Sequence, residues 1–193
     1  MSRWLLAVLG LAIGGVLASC ATLSEEQCQA GDWRAIGMTD GAQGRPAGYV
    51  SNHVDACAEY GIGLDQALYQ AGHAEGLQTY CRLDVAAEEG RDGERYYGVC
   101  EGDMGLAFAR VHAAGQDIYE LEAELNSIDS EISSLVRRLG QGGLTEAEAA
   151  RIASEIRSLE RDEDSLRRQI RLAESRLRAI QRQEQLRLAQ TGA

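Results

Sequence analysis

Two acids at matching places are the first residues that could do chemistry. Asp40 and Glu75 each precede a glycine, in Gly37-x-x-Asp40-Gly41 and Gly72-x-x-Glu75-Gly76. Carboxylates that face one another can divide acid and base roles, as in glycoside cleavage. His53 and Cys57 stand four apart, a spacing that places two ligands on one helix face. His73 and His112 are isolated, and no H-E-x-x-H, G-x-S-x-G, P-loop or dinucleotide fingerprint is present. The basic residues are all Arg, so Schiff-base and lysine-base mechanisms are excluded. With no motif supporting the two acids, solvated helix positions suit them better than catalysis. The expectation is a protein that is not an enzyme and uses no cofactor and no metal.

Glycines and aromatics form the second pattern. On a helix, Trp33, Gly37, Gly41 and Gly44 share one stripe, and Tyr69, Gly72, Gly76 and Tyr80 share another. Glycine inside a helix costs about 1 kcal/mol against Ala, so its repetition implies close approach of another backbone. The stripes either pack on each other or floor a groove of Trp33, Gly37, Asp40, Gly41, Tyr69, Gly72, Glu75 and Gly76, suited to a glycan or peptide. Aromatics are only 5% of the chain, and a small domain needs them for its core, which favours packing.

The elements that would position these residues start from the N-terminus. Met1–Arg3 is positive, Trp4–Leu17 is apolar, and Leu17-Ala18-Ser19-Cys20 resembles a bacterial lipoprotein processing box. This predicts a signal peptide over 1–19 and lipidation of Cys20. Ala21 after the cysteine suggests an outer-membrane anchor facing the periplasm. The four remaining cysteines then form two disulfides in an oxidising compartment. Cys28–Cys57 and Cys81–Cys100 are favoured because each brackets one compact block. A zinc site is disfavoured, since no C-x-x-C pair exists. Pro46 begins a helix running to Tyr60, Asp65 caps the helix through Cys81, and Glu88–Gly98 reads as a loop or short broken helix.

Ten apolar positions at alternating spacings of three and four run from Ala107 to Leu139, the period of a coiled-coil seam. Gly140-Gln141-Gly142-Gly143 ends that helix, and Thr145-Glu146-Ala147-Glu148 reads as a capping box for the next. A second seam from Ala149 to Ile180, broken once by Glu163, predicts an antiparallel hairpin. Residues 20–103 hold fifteen acids against five Arg, and residues 104–193 hold fifteen acids against thirteen Arg. Nothing resembles a nucleic-acid footprint. The Arg-rich stretch 167–187 runs beside Asp117, Glu120, Glu122 and Glu124 and is expected to neutralise them, with fraying from Gln181 onward.

Asp32-Trp33, Gly37-x-x-Asp40-Gly41-x-x-Gly44, Cys57, Gly72-x-x-x-Gly76, Tyr80-Cys81 and Tyr97-Gly98-Val99-Cys100 resemble the domain of unknown function 2799 of bacterial lipoproteins. The resemblance covers about residues 28–115 and implies no activity. The stretch Val85–Arg95 is richer in acid than the family pattern. Together these readings predict an all-α protein: signal peptide 1–19, a cysteine- and glycine-rich helical domain 20–103, and a coiled-coil hairpin 104–193. The expected role is structural or interaction-based in the cell envelope, with a membrane contact through lipid and a protein partner on the hairpin. The alternatives are a glycan- or peptide-binding module, or a hydrolase using Asp40 and Glu75.

Overall fold

The computed structural model describes residues 22–191, all helix and connections; the signal segment and Cys20 lie outside the described residues. Seven α-helices follow in order: α1 Glu25–Ala30, α2 Trp33–Ala42, α3 Val50–Ala58, α4 Gln66–Tyr80, α5 Leu83–Arg91, α6 Gly102–Gly140 and α7 Glu146–Thr191. A single 3-10 turn, Ala47–Tyr49, follows Pro46 and leads into α3. Side chains close four of the seven helix starts. Ser24 and Gln27 form a capping box on α1, Asp32 caps α2, Asp65 caps α4, and Thr145 and Glu148 bond reciprocally ahead of α7.

Helices α2 and α4 run parallel in very close contact. A methyl group added at Gly37 would collide with the Tyr69 carbonyl oxygen, and one at Gly41 with that of His73. Seen from α4, Gly72 meets the Arg34 carbonyl and Gly76 meets that of Met38. The contacts are reciprocal at a constant offset of 35 residues, so a local two-fold axis relates the two helices. A parallel pair requires the chain to return the length of α2, and the 3-10 turn with α3 makes that return. The Cys28–Cys57 disulfide ties the return segment to α1.

The second disulfide, Cys81–Cys100, brackets α5. The loop expected over Glu88–Gly98 begins only at Asp92, because Leu83–Arg91 is a continuous helix. Its Gly90 is not a break, because that is where α6 crosses: an added methyl would strike the His112 carbonyl, and one at Gly115 would press on Ala87 and Arg91. Tyr80, Leu83, Ala86, Phe108, Val111 and Ile118 form a core here with Leu177 and Leu188 of α7. A smaller core holds Leu23, Cys28, Trp33, Cys57 and Tyr69. The larger core crosses the boundary drawn at 103/104, so the base of the hairpin is part of the domain.

Helices α6 and α7 form the antiparallel hairpin. At the base, Arg187 bonds Asp103 at 2.8 Å, and near the turn Leu135 and Ile152 line the same cleft. The expected fraying from Gln181 is not what the structure shows. Leu188 is buried in the core, and Glu184 is 4% exposed between Arg110 and Arg187. Beyond Ile118 in α6 and before Leu166 in α7, no seam residue is fully buried, and the paired helices project as an arm. From Ile118 to Gly140 that arm rises about 33 Å.

Candidate functional site

The most concentrated buried chemistry lies under α2. Asp40 is 2% exposed and every carboxylate oxygen is engaged. Its Oδ1 accepts from Arg45 at 3.0 Å, and its Oδ2 accepts from the Tyr69 hydroxyl at 2.7 Å and from His53 Nε2 at 2.8 Å. Local sequence explains the convergence. The chain turns sharply after α2 at Gly44, whose φ of +65° suits glycine, and brings Arg45 back onto Asp40. His53 lies one helical turn before Cys57, so the disulfide that holds α3 also aims the imidazole. Burial raises the Tyr69 phenol far above its ordinary range, and its bond to the Asp40 carboxylate adds to the shift.

The cluster continues to the chain's N-terminal side. His53 Nδ1 lies 2.7 Å from the Thr22 hydroxyl, which also reaches the Asn52 carbonyl at 3.0 Å. Hydroxyl, imidazole and carboxylate thus stand in line. Leu23 next to Thr22 is buried, so the line also fastens the N-terminal segment to the domain. A cavity of about 360 Å³ opens beside it, lined by the apolar Leu23 and Ile36 and by the polar Thr39, Gln43, Arg45 and His53. Apolar lining with a few polar groups is the usual make-up of a small-ligand pocket.

Of the residues singled out from sequence, the structure brings together Asp40, Tyr69 and His53, and adds Arg45 and Thr22, for which no spacing gave a signal. It does not bring Asp40 and Glu75 together. Glu75 lies on the opposite side of the α2–α4 pair, on the surface, bonded to Arg34 at 2.9 Å. A dyad of these two acids is therefore ruled out by geometry. The groove over the two stripes is also absent, because Gly37, Gly41, Gly72 and Gly76 are consumed by helix contact. Trp33 is buried and donates to the Gly63 carbonyl, and Tyr69 points into the cluster. Cys57 is in a disulfide and cannot pair with His53 as a metal ligand. Among the described residues, no group of three or more His, Cys, Asp or Glu is placed to hold a metal.

A duplication supplies an internal comparison. His73 bonds the Arg45 carbonyl at 2.7 Å, and His112 bonds the Glu94 carbonyl at 2.9 Å. Gly44 packs under the Tyr80 ring, and Gly93, φ +74°, packs under the Tyr119 ring. The two sets superimpose in sequence: Tyr69-x-x-x-His73-x-x-Gly76-x-x-x-Tyr80 against Phe108-x-x-x-His112-x-x-Gly115-x-x-x-Tyr119. Likewise Asp40-Gly41-x-x-Gly44-Arg45 matches Glu89-Gly90-x-x-Gly93-Glu94. The pairs α2–α4 and α5–α6 are two copies of one unit, each with its own disulfide. The second copy has Phe108 where the first has Tyr69, and Glu94 where the first has Arg45. The polar cluster is thus a feature of the first copy that the architecture does not require.

Residues 32–117 match the family Protein of unknown function (DUF2799). The match begins at the cap of α2 and ends two residues past Gly115, so the DUF2799 region takes in the glycine contacts of both copies, leaves out Cys28 and Tyr119, and stops where the arm leaves the core. Neither a curated protein nor a solved structure matches the chain.

Proposed function

We propose that this chain is a lipoprotein of the bacterial cell envelope, anchored through Cys20, whose arm presents a binding surface to a protein partner. The observation that supports the arm's role most is its incomplete burial. Two helices of 39 and 46 residues keep a heptad seam whose outer half is only part-buried, and apolar residues as large as Val136 remain open. Surplus apolar surface along a paired-helix arm is suited to further helix packing. The anchor reading rests on the signal pattern and the cysteine, and no helix among the described residues is long and apolar enough to cross a membrane. Two measurements test it. Palmitate label should enter the wild type and not Cys20→Ala. A photo-crosslinker placed at Val136 in cells should give a discrete adduct with another protein, while one at Gln70 on the domain should not. Adducts from Gln70 alone, or none from the arm, overturn the interaction reading.

A second reading has its own support. The cavity beside Thr22, Asp40 and His53 has the size and lining of a small-ligand pocket, and the second copy of the unit has Phe108 in place of Tyr69 and Glu94 in place of Arg45. In this reading the first copy is the binding half of the domain and the second is its scaffold.

A further inference from the structure

We propose that the groove between α6 and α7 at the base of the arm receives a basic amphipathic helix of a partner protein. This rests on the arm being an interaction surface and names what the surface takes. The groove holds about 470 Å³. Its apolar lining is Leu121, Ala173 and Leu172, the last 71% exposed and the most open large apolar side chain of the described residues. The lining positions recur at intervals of three and four on both helices, so the groove runs along them. It continues toward the core through Asp117 and Arg176, which also line the neighbouring cleft beside Arg110. The acidic part runs from Asp117 to Glu124, about 11 Å or two helical turns, and core-ward of it Arg110 and Arg187 stand with Glu184.

The charge of the rim selects the occupant. Asp117 is answered by Arg176 at 3.6 Å, but among the described residues Glu120 and Glu124 have no cation within 4 Å. Of the arginines expected to neutralise the acids of this face, Arg176 reaches Asp117, while Arg167 pairs with Glu163 and Arg178 with Glu174 on their own helix. Between Asp117 and Glu124, an apolar lining beside three acids and one Arg fits a helix carrying leucines at i, i+3, i+4 and i+7 with Lys or Arg beside them. A second copy of this chain fits less well. A two-fold contact through the groove would set Glu120 and Glu124 of both copies in one interface, where like charges repel.

The test uses the full chain and a fluorescent 18-residue helical peptide of Leu, Ala and Lys, read by anisotropy. Leu172→Glu, a surface change, should weaken binding at least tenfold, and so should Glu120→Gln with Glu124→Gln. Glu155→Gln with Glu160→Gln removes the same charge farther along the arm and should change affinity less than twofold. Reversal at both rim positions to Lys should move the preference to a peptide with Glu in place of Lys. Equal weakening by the two neutralised pairs would show attraction by net charge alone and overturn the proposal. A dimer in sedimentation that Leu172→Glu dissolves would replace the partner helix by a second copy, and also overturn it. If the peptide fails to bind while arm crosslinks persist in cells, this inference falls and the interaction reading stands.

Discussion

Tyr69 donates to Asp40 across the α2–α4 pair from the position that Arg34 holds on the opposite helix, where Arg34 reaches Glu75. The local two-fold makes these one contact drawn twice, 2.7 Å in the interior and 2.9 Å on the surface. The energetics should differ accordingly. Tyr69→Phe leaves a buried carboxylate short of a donor, a loss of about 1–3 kcal/mol. Arg34→Ala breaks an exposed pair, worth about 1 kcal/mol or less. Urea unfolding of the two variants measures both.

The glycine contacts give a sharper contrast. Gly76→Ala drives a methyl into the Met38 carbonyl and the Ala42 amide, both backbone atoms that cannot rotate away. A cost of about 1–3 kcal/mol or more follows, as for other overpacked interiors. Gly48→Ala meets nothing within 4 Å and should be near neutral. Equal melting temperatures for the two variants would contradict the close pairing.

Two carboxylates should show opposite pH signatures. Burial, then the neighbouring Glu94, raises the Glu89 carboxyl above its ordinary range, with Tyr80 partly opposing. The folded chain therefore holds that proton more tightly than the unfolded chain, and stability falls as pH rises through the carboxylate range. Glu89→Gln should melt higher than wild type at pH 7 and equal to it once both are neutral in acid. Glu184 is the reverse. The Arg187 bond, with Arg110, lowers its carboxyl against the effect of burial, so its contribution is present at neutral pH and lost on acidification. Glu184→Gln should melt lower at pH 7, with the gap closing as pH drops. Melting curves across pH 3–7 check both signs.

Glu163 breaks the α7 seam and is mostly shielded, held by Arg167 one turn along. Glu163→Leu restores the apolar period and should raise the thermal midpoint, since a single polar seam residue costs stability. A lower midpoint would show that the pair fixes the register of the arm.

Much of the fold was legible because its causes are periodic. The seams of α6 and α7, the glycine turn between them and the Thr145 cap each announce themselves locally. The disulfide pairs could be read because each brackets a block. The duplication was hidden because Gly37 and Gly72 stand at the same offset as the two helices of one pair. The sequence therefore showed a repeat within the unit and masked the repeat of the unit. Ala107 and Val111 satisfied the heptad reading, and Phe108 and His112 stood off that seam, so the packing of this stretch against α5 gave no separate signal. The cluster at Asp40 was half legible. The acid before a glycine was visible, but Arg45, His53 and Thr22 reach it only through a turn and a return helix that no spacing encodes.

The placement of Leu188 and Arg187 against the start of α6 has a consequence for how the molecule is made. Synthesis delivers residues in order, and the core around Phe108 and Val111 is covered last by α7. Between the appearance of that surface and its cover lies the whole arm, out to the turn and back. Until then the newborn domain carries an open apolar face, so a chaperone has one defined interval in which to hold it. Leu177→Asp and Leu188→Asp should lengthen that dependence and leave both cystine loops intact.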